Sequence, residues 1–335
     1  MPANTLSRLL SPYRPRLSAL LRRFVRSPRI HPEAVAMDDP DLYVRRRHTA
    51  AELPMTKDNG HVNGVDGRLV SCLCTAQQIE SDVFRDWCDR LRDHFSLHRK
   101  LWEWCYICQA LFERGLLAPG MRGLGFAVGK EPLPSLFASL GCDIVATDLD
   151  VADPRGAGWT ATNQLAAAAT ELNARQLCEA EAFRRRVTFR RVDMNRIPDD
   201  LQGFDFTWSS CSFEHCGSIE LGQEFLCRQM NCLRPGGVAV HTTEFNLSSN
   251  RRTIAGGETV IFRRRDMECL VRRLRAAGHF VEPLDLTLDK HPRDCRGDQS
   301  SPPAGHLQLQ LGPYLATSIG LIVRKGGEPL TRERR

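Results

Sequence analysis

No stretch of this sequence approaches the roughly 20 consecutive apolar residues needed to cross a bilayer, so no transmembrane anchor is expected. A GK[ST] tripeptide is absent, which excludes a Walker phosphate loop. The Cys105–Cys108 pair in "EWCYICQAL" has no second CxxC to complete a zinc set, and its neighbours are apolar at helical spacing. Buried helix cysteines are the expectation there, and no metal site is expected anywhere. The other cysteines of the thirteen follow no disulfide framework, which points to reduced thiols and a cytoplasmic location. Acid is missing from residues 1–32, which carry seven arginines. Removing those seven from the net charge of +6 leaves about −1 for residues 33–335, too little for a broad phosphate-binding surface. Nucleic acid is therefore not the expected partner. The run "RRRVTFRRVDMNR" reads as a basic strand edge, with only Phe189 available for stacking.

What is present divides the chain in three. Residues 1–66 read as a basic extension followed by a linker rich in turn formers. Leu17, Leu20, Leu21, Phe24 and Val25 share one helical face, so weak membrane-surface contact, a targeting segment and a start at Met37 all stay open. Residues 67–118 show apolar steps of three and four (Val83, Trp87, Leu91; Leu101, Trp104, Cys105, Cys108), expected to give two helices and a helical cap. From 119 to 330, short apolar strands ("GLGFAV", "DIVATD", "VTFRRVD", "FDFTWSS", "GVAVHTTEF") alternate with helices expected over 133–140, 160–182 and 218–233. A further helix over "RRRDMECLVRRLRAAG" leads to "HFVEPLDL", a polar stretch at 289–305 and a last strand "TSIGLIVRK". Such alternation predicts an α/β, doubly wound sheet whose last two strands form an antiparallel pair at one edge.

Chemistry concentrates where the first strand ends. Gly125, Ala127 and Gly129 have GxGxG spacing with alanine in the middle, and Gly129 can supply a left-handed turn. Pro132 suits a helix start and Gly141 its end. Asp148 follows Gly129 by nineteen positions, at the end of the second strand, where a carboxylate can accept both hydroxyl hydrogens of a ribose. Asp150 beside it is expected to be structural. The third glycine of a dinucleotide fingerprint is replaced by Lys130, so the turn suits an adenosine ligand without a pyrophosphate better than NAD.

Taken with "HRKLWEWCYICQAL", "WSSCSFEHCGS" and "LRPGGVAVHTTEFNL", these motifs resemble the class I S-adenosylmethionine (SAM)-dependent methyltransferases over residues 75–330. Within them, the chain is similar to a bacterial subgroup associated with sugar and polysaccharide gene clusters. The resemblance implies a Rossmann-like seven-stranded sheet with an antiparallel last strand and S-adenosyl-L-methionine as cofactor. It places Gly125, Ala127 and Gly129 against the methionine part of SAM, and Asp148 on the ribose. Asp193 would take the adenine amino group with Met194 against the ring, while Ser209 and Ser210 line the methionine side. Two positions depart from the pattern: Gly123 stands where an acid is usual, with Glu131 as its substitute, and Ala127 replaces a glycine. His215 is the first candidate base, with Glu214 and Glu244 behind it, and His98 could close over the acceptor. The implied reaction is methyl transfer to oxygen or nitrogen of a small molecule or glycan. A nucleic-acid methyltransferase and an inactive SAM-fold scaffold are the rival readings.

Overall fold

The computed structural model describes residues 68–162, 164–288 and 307–327. The basic segment 1–36, the linker up to residue 67 and the polar stretch 289–305 lie outside the described residues. In chain order the elements are β1 (Ser71–Cys72), α1 (Ala76–Glu80), α2 (Asp82–Arg90), α3 (Arg99–Glu113), β2 (Arg122–Gly125), α4 (Leu133–Ser139) and β3 (Asp143–Asp148). Then come α5 (Ala157–Ala161), α6 (Ala180–Arg186), β4 (Val187–Arg191), β5 (Phe204–Ser210), α7 (Ile219–Arg228) and β6 (Leu233–Asn246). The series closes with α8 (Arg264–Ala276), β7 (Phe280–Val281), β8 (Leu284–Asp285), β9 (Leu309–Leu311) and β10 (Tyr314–Arg324). Among the described residues, no helix is long and apolar enough to cross a membrane.

The main sheet runs β4-β3-β2-β5-β6-β10-β7. The first five strands are parallel, and β10 is antiparallel to both β6 and β7. Seven strands thus lie on the path, and β9 adds an eighth by pairing with β10. The expected antiparallel pair exists at one edge, with β10 inside and β7 outermost. "HFVEPLDL" is not one strand: Pro283, which has no N–H for a ladder, separates β7 from β8. β8 pairs instead with β1 in a small second sheet.

Alternation along the strands splits the core into two layers. Phe206 and Trp208 of β5, with Val238 and Val240 of β6, pack with α3 and α4. Ala239 points the other way, toward residues of α7 and α8 such as Phe225 and Leu270, and Phe204 joins that layer because the β5–β6 register shifts between Phe204 and Phe206. Every residue of β5 is buried, as a central parallel strand covered on both faces requires.

The lead-in forms three helices where two were expected, because Ser81 ends α1 and caps α2, accepting from Phe84 N. α3 is then locked in place. Trp102 Nε1 donates to Gln78 Oε1 at 2.7 Å, and Tyr106 Oη donates to the Val70 carbonyl at 2.8 Å. Gly320 of β10 faces Tyr106, where a Cβ would fall within the ring.

The helix expected over 160–182 does not form. Only α5, a short 3₁₀ turn at 169–173 and the start of α6 are helical. The alanine run is held open because side chains take its backbone groups. The Arg191 guanidinium donates to the Ala166 and Ala167 carbonyls, and the Asp148 carboxylate accepts from Ala166 N. Tertiary partners here override helix propensity.

Candidate functional site

The glycine turn is built from strain and close approach. Ala127 and Gly129 both adopt left-handed backbone, φ 47° and 53°. The alanine is a rare occupant of that region, and such positions cluster at ligand clamps. At Gly129 a Cβ would also meet the Gln164 carbonyl oxygen at 2.9 Å, so the turn and the opened alanine run touch. Gly125 is not part of the ligand surface as expected: it ends β2 beneath the Trp208 ring, and the cavity lining begins at Ala127. Gly123 has no space for the usual acid, because the Phe206 ring occupies it.

A cavity of about 460 Å³ opens at the carboxyl ends of β2, β3, β4 and β5. That is a normal size for a small-molecule site, at the position where such sheets bind ligands. Its wall takes in the turn from Ala127 to Glu131, then Asp148, Asp193, Met194, Ser210 and His215. Most sequence-predicted cofactor residues therefore meet there. Ser209 does not: strand alternation turns it away from Ser210, and its hydroxyl pairs with His241 Nδ1 at 2.7 Å.

Asp148 is 1% exposed and accepts from Gly129 N, Leu149 N and Ala166 N at 3.1, 2.8 and 3.3 Å. Burial outweighs those donors and pushes its carboxyl up to about 6. Asp150 accepts from Ala152 N at 2.8 Å in an exposed turn and does not line the cavity. Glu131 is buried, accepts from Trp208 Nε1 at 2.8 Å, and is pushed up to about 8 by burial, with Lys100 opposing. Asp193 pairs with the exposed Arg155 at 2.9 Å, a contact weak enough to exchange for a ligand. Lys130, in the missing glycine's place, pairs with Glu171 at 2.9 Å.

On the far side of the cavity, His215 lies edge-on to Trp159, with ring centroids 4.7 Å apart, and burial lowers its pKa. Glu214 and Glu244 do not reach the cavity. Glu214 is fully buried and accepts from Thr243 Oγ1 at 2.9 Å; Glu244 pairs with Arg99 at 2.6 Å. Neither is free to act as a base in the wall. His98 does not close over the site either: it caps α3, its Nδ1 accepting from Lys100 N at 3.1 Å. Sequence reasoning missed Lys100, Trp104, Arg155 and Trp159, which line the cavity from the cap and from the short helical stretch after β3. Nothing local marks them, since distant chain segments bring them to the wall. Lys100 Nζ donates to the Ser210 carbonyl and hydroxyl at 2.9 and 3.1 Å, tying the cap to the end of β5.

No family model matches the chain, and no curated protein matches it. Solved structures of similar fold include the CurJ carbon methyltransferase, at 11% identity over 69% of this chain and TM-score 0.39; the chain spans 54% of that protein. A SAM-dependent methyltransferase from Mesorhizobium loti overlays at 14% identity, 64% of this chain, 97% of that one and TM-score 0.38. Magnesium protoporphyrin IX methyltransferase from Synechocystis overlays at 10% identity, 73% and 95% coverage, and TM-score 0.41. At TM-scores near 0.4, such overlays decide nothing about what this chain binds.

Proposed function

We propose that the chain is an S-adenosyl-L-methionine-dependent methyltransferase acting on oxygen or nitrogen of a small-molecule acceptor, glycans included. The observation that carries this is the cavity: buried Asp148 and half-buried Asp193 end adjacent parallel strands on one side of a strained turn that lacks the third glycine of a dinucleotide fingerprint. Asp148 would take the ribose hydroxyls, and Asp193 the adenine amino group with Met194 against the ring. Ala127, Gly129, Glu131 and Ser210 would surround the methionine portion, the Glu131 carboxylate facing its ammonium. Methyl transfer is an in-line displacement at a sulfonium, so the protein chiefly aligns the acceptor and excludes water. His215, whose pKa burial lowers, offers Nε2 to an acceptor hydroxyl that must lose its proton.

Calorimetric titration with SAM, S-adenosylhomocysteine and NAD tests the reading. Binding of the first two without NAD is expected. If neither sulfur ligand binds, the cofactor assignment fails.

A further inference from the structure

At the ends of β5 and β6, next to the cavity, metal-ligand side chains meet and only partly satisfy one another. Cys211 Sγ and carboxylate oxygens of Glu214 and Glu244 all lie within 4.8 Å of each other. Cys211 Sγ is 3.4 Å from Glu244 Oε1, the oxygen that also pairs with Arg99. Two oxygens are left over. Among the described residues, Glu214 Oε1 and Glu244 Oε2 are buried and have no hydrogen-bond partner, on residues 0% and 4% exposed. A buried carboxylate oxygen without a donor is costly unless a cation approaches it.

His215 brings a fourth donor atom. Its Nδ1 lies 2.7 Å from the Glu258 carbonyl, with the Thr259 hydroxyl at 3.2 Å. A carbonyl only accepts, so Nδ1 carries the hydrogen and Nε2 presents a lone pair. That lone pair stands 3.9 Å from Glu214 Oε1, lone pair toward lone pair. An imidazole oriented by donation to a backbone carbonyl is the usual support of a metal-binding histidine. Charge points the same way. Among the described residues, Glu103, Glu214 and Glu244 share this buried cluster with two cations, Arg99 and Lys100. Ionising Cys211 would leave two negative charges in excess, which one divalent ion neutralises.

We propose that Cys211, Glu214, Glu244 and His215 form a four-ligand site for a divalent transition metal of the zinc type. One sulfur, one nitrogen and two carboxylates suit such an ion. Tetrahedral bonds of about 2.0–2.3 Å put ligand atoms about 3.3–3.8 Å apart. Cys211, Glu214 and Glu244, now within 4.8 Å of one another, therefore draw together by at most about 1.5 Å. His215, 3.9 Å from Glu214 and outside that set, turns inward to bind. Cys211 and His215 line the cavity, so the bound ion would face the acceptor. Metal binding stands independently of the methyl-transfer reading. If that reading holds too, the ion would occupy His215 Nε2 and would have to take a fifth ligand to acidify the acceptor hydroxyl in place of His215.

The test uses the full chain, stripped with a chelator and titrated with Co²⁺ by absorbance and calorimetry. One tight equivalent is expected, with a sulfur-to-cobalt charge-transfer band that Zn²⁺ displaces. Cys211→Ser should lose the band, and Glu214→Gln should weaken binding at least tenfold, both in protein with native circular dichroism. His215→Ala, at the half-exposed rim, should also weaken binding and keeps the test open if the buried variants misfold. Cys269→Ser, on α8, should leave the band intact. No Co²⁺ binding, or a band that survives Cys211→Ser, overturns the proposal. So does a Glu214→Gln chain that melts higher with no response to metal, since the carboxylates would then share a proton.

Discussion

Asp148 does two jobs that a single substitution can separate from its neighbour. Its carboxylate already accepts three backbone N–H groups, and in the proposed complex it also accepts ribose hydroxyls. Asp148→Asn should weaken SAM binding by about 1.5–3 kcal/mol, roughly ten- to over a hundredfold. Asp150→Asn removes the same charge two positions along and should cost much less. Equal SAM affinities in the two variants, by calorimetry, would take the ribose role away from Asp148. Glu131 supplies a pH signature. Burial lifts its carboxyl from 4.5 to about 8, so the unliganded fold binds a proton there that the unfolded chain releases. Stability from this group is present below about 4.5 and is lost as pH rises through about 8. An ammonium arriving beside Glu131 favours the charged form. SAM binding at pH 7 should therefore release a proton, seen as binding heats that differ between phosphate and Tris buffers. Identical heats in both would mean Glu131 does not face the ammonium.

Among elements, the contact between α3 and β10 fixes the cavity, because α3 carries Lys100 and Trp104 into its wall. The fit is tight at Gly320, which lies against Tyr106. Gly320→Ala forces that ring to move, and overpacking of this kind costs about 1–3 kcal/mol. For a domain of this size, that lowers the melting temperature by roughly 2–4 °C per kcal/mol. An unchanged melting curve would show that α3 shifts freely on the sheet. The segment between α5 and α6 is the opposite case. Its alanines favour helix, yet Arg191 and Asp148 hold it open against Gly129. Arg191→Met should release the Ala166 and Ala167 carbonyls and weaken SAM binding without touching a ligand group. Unaltered affinity in that variant would mean the opened segment is held by other contacts.

At the scale of the molecule, the core begins at once: Leu69 and Val70 are already buried. The sequence before them has no core pattern, so a chain starting at Gly67 should melt within a few degrees of the full one and bind SAM equally. A large loss of melting temperature would show that the leading segment packs on the fold.

Periodicity and punctuation were enough, in the sequence, for the doubly wound sheet, the glycine turn and the placing of Asp148 and Asp193 at strand ends. These follow from spacing along a few neighbouring residues, which local sequence encodes. The partner of each side chain was not encoded there. Ser209 turned from the cavity because of strand phase at one position, and Gly123 lacks an acid because Phe206, 83 residues on, fills the space. Glu214 and Glu244 look like bases in sequence and prove to be buried beside Cys211, under the charge of Arg99 from the cap. Long-range packing sets desolvation and pairing, and those decide which carboxylates are free to do chemistry.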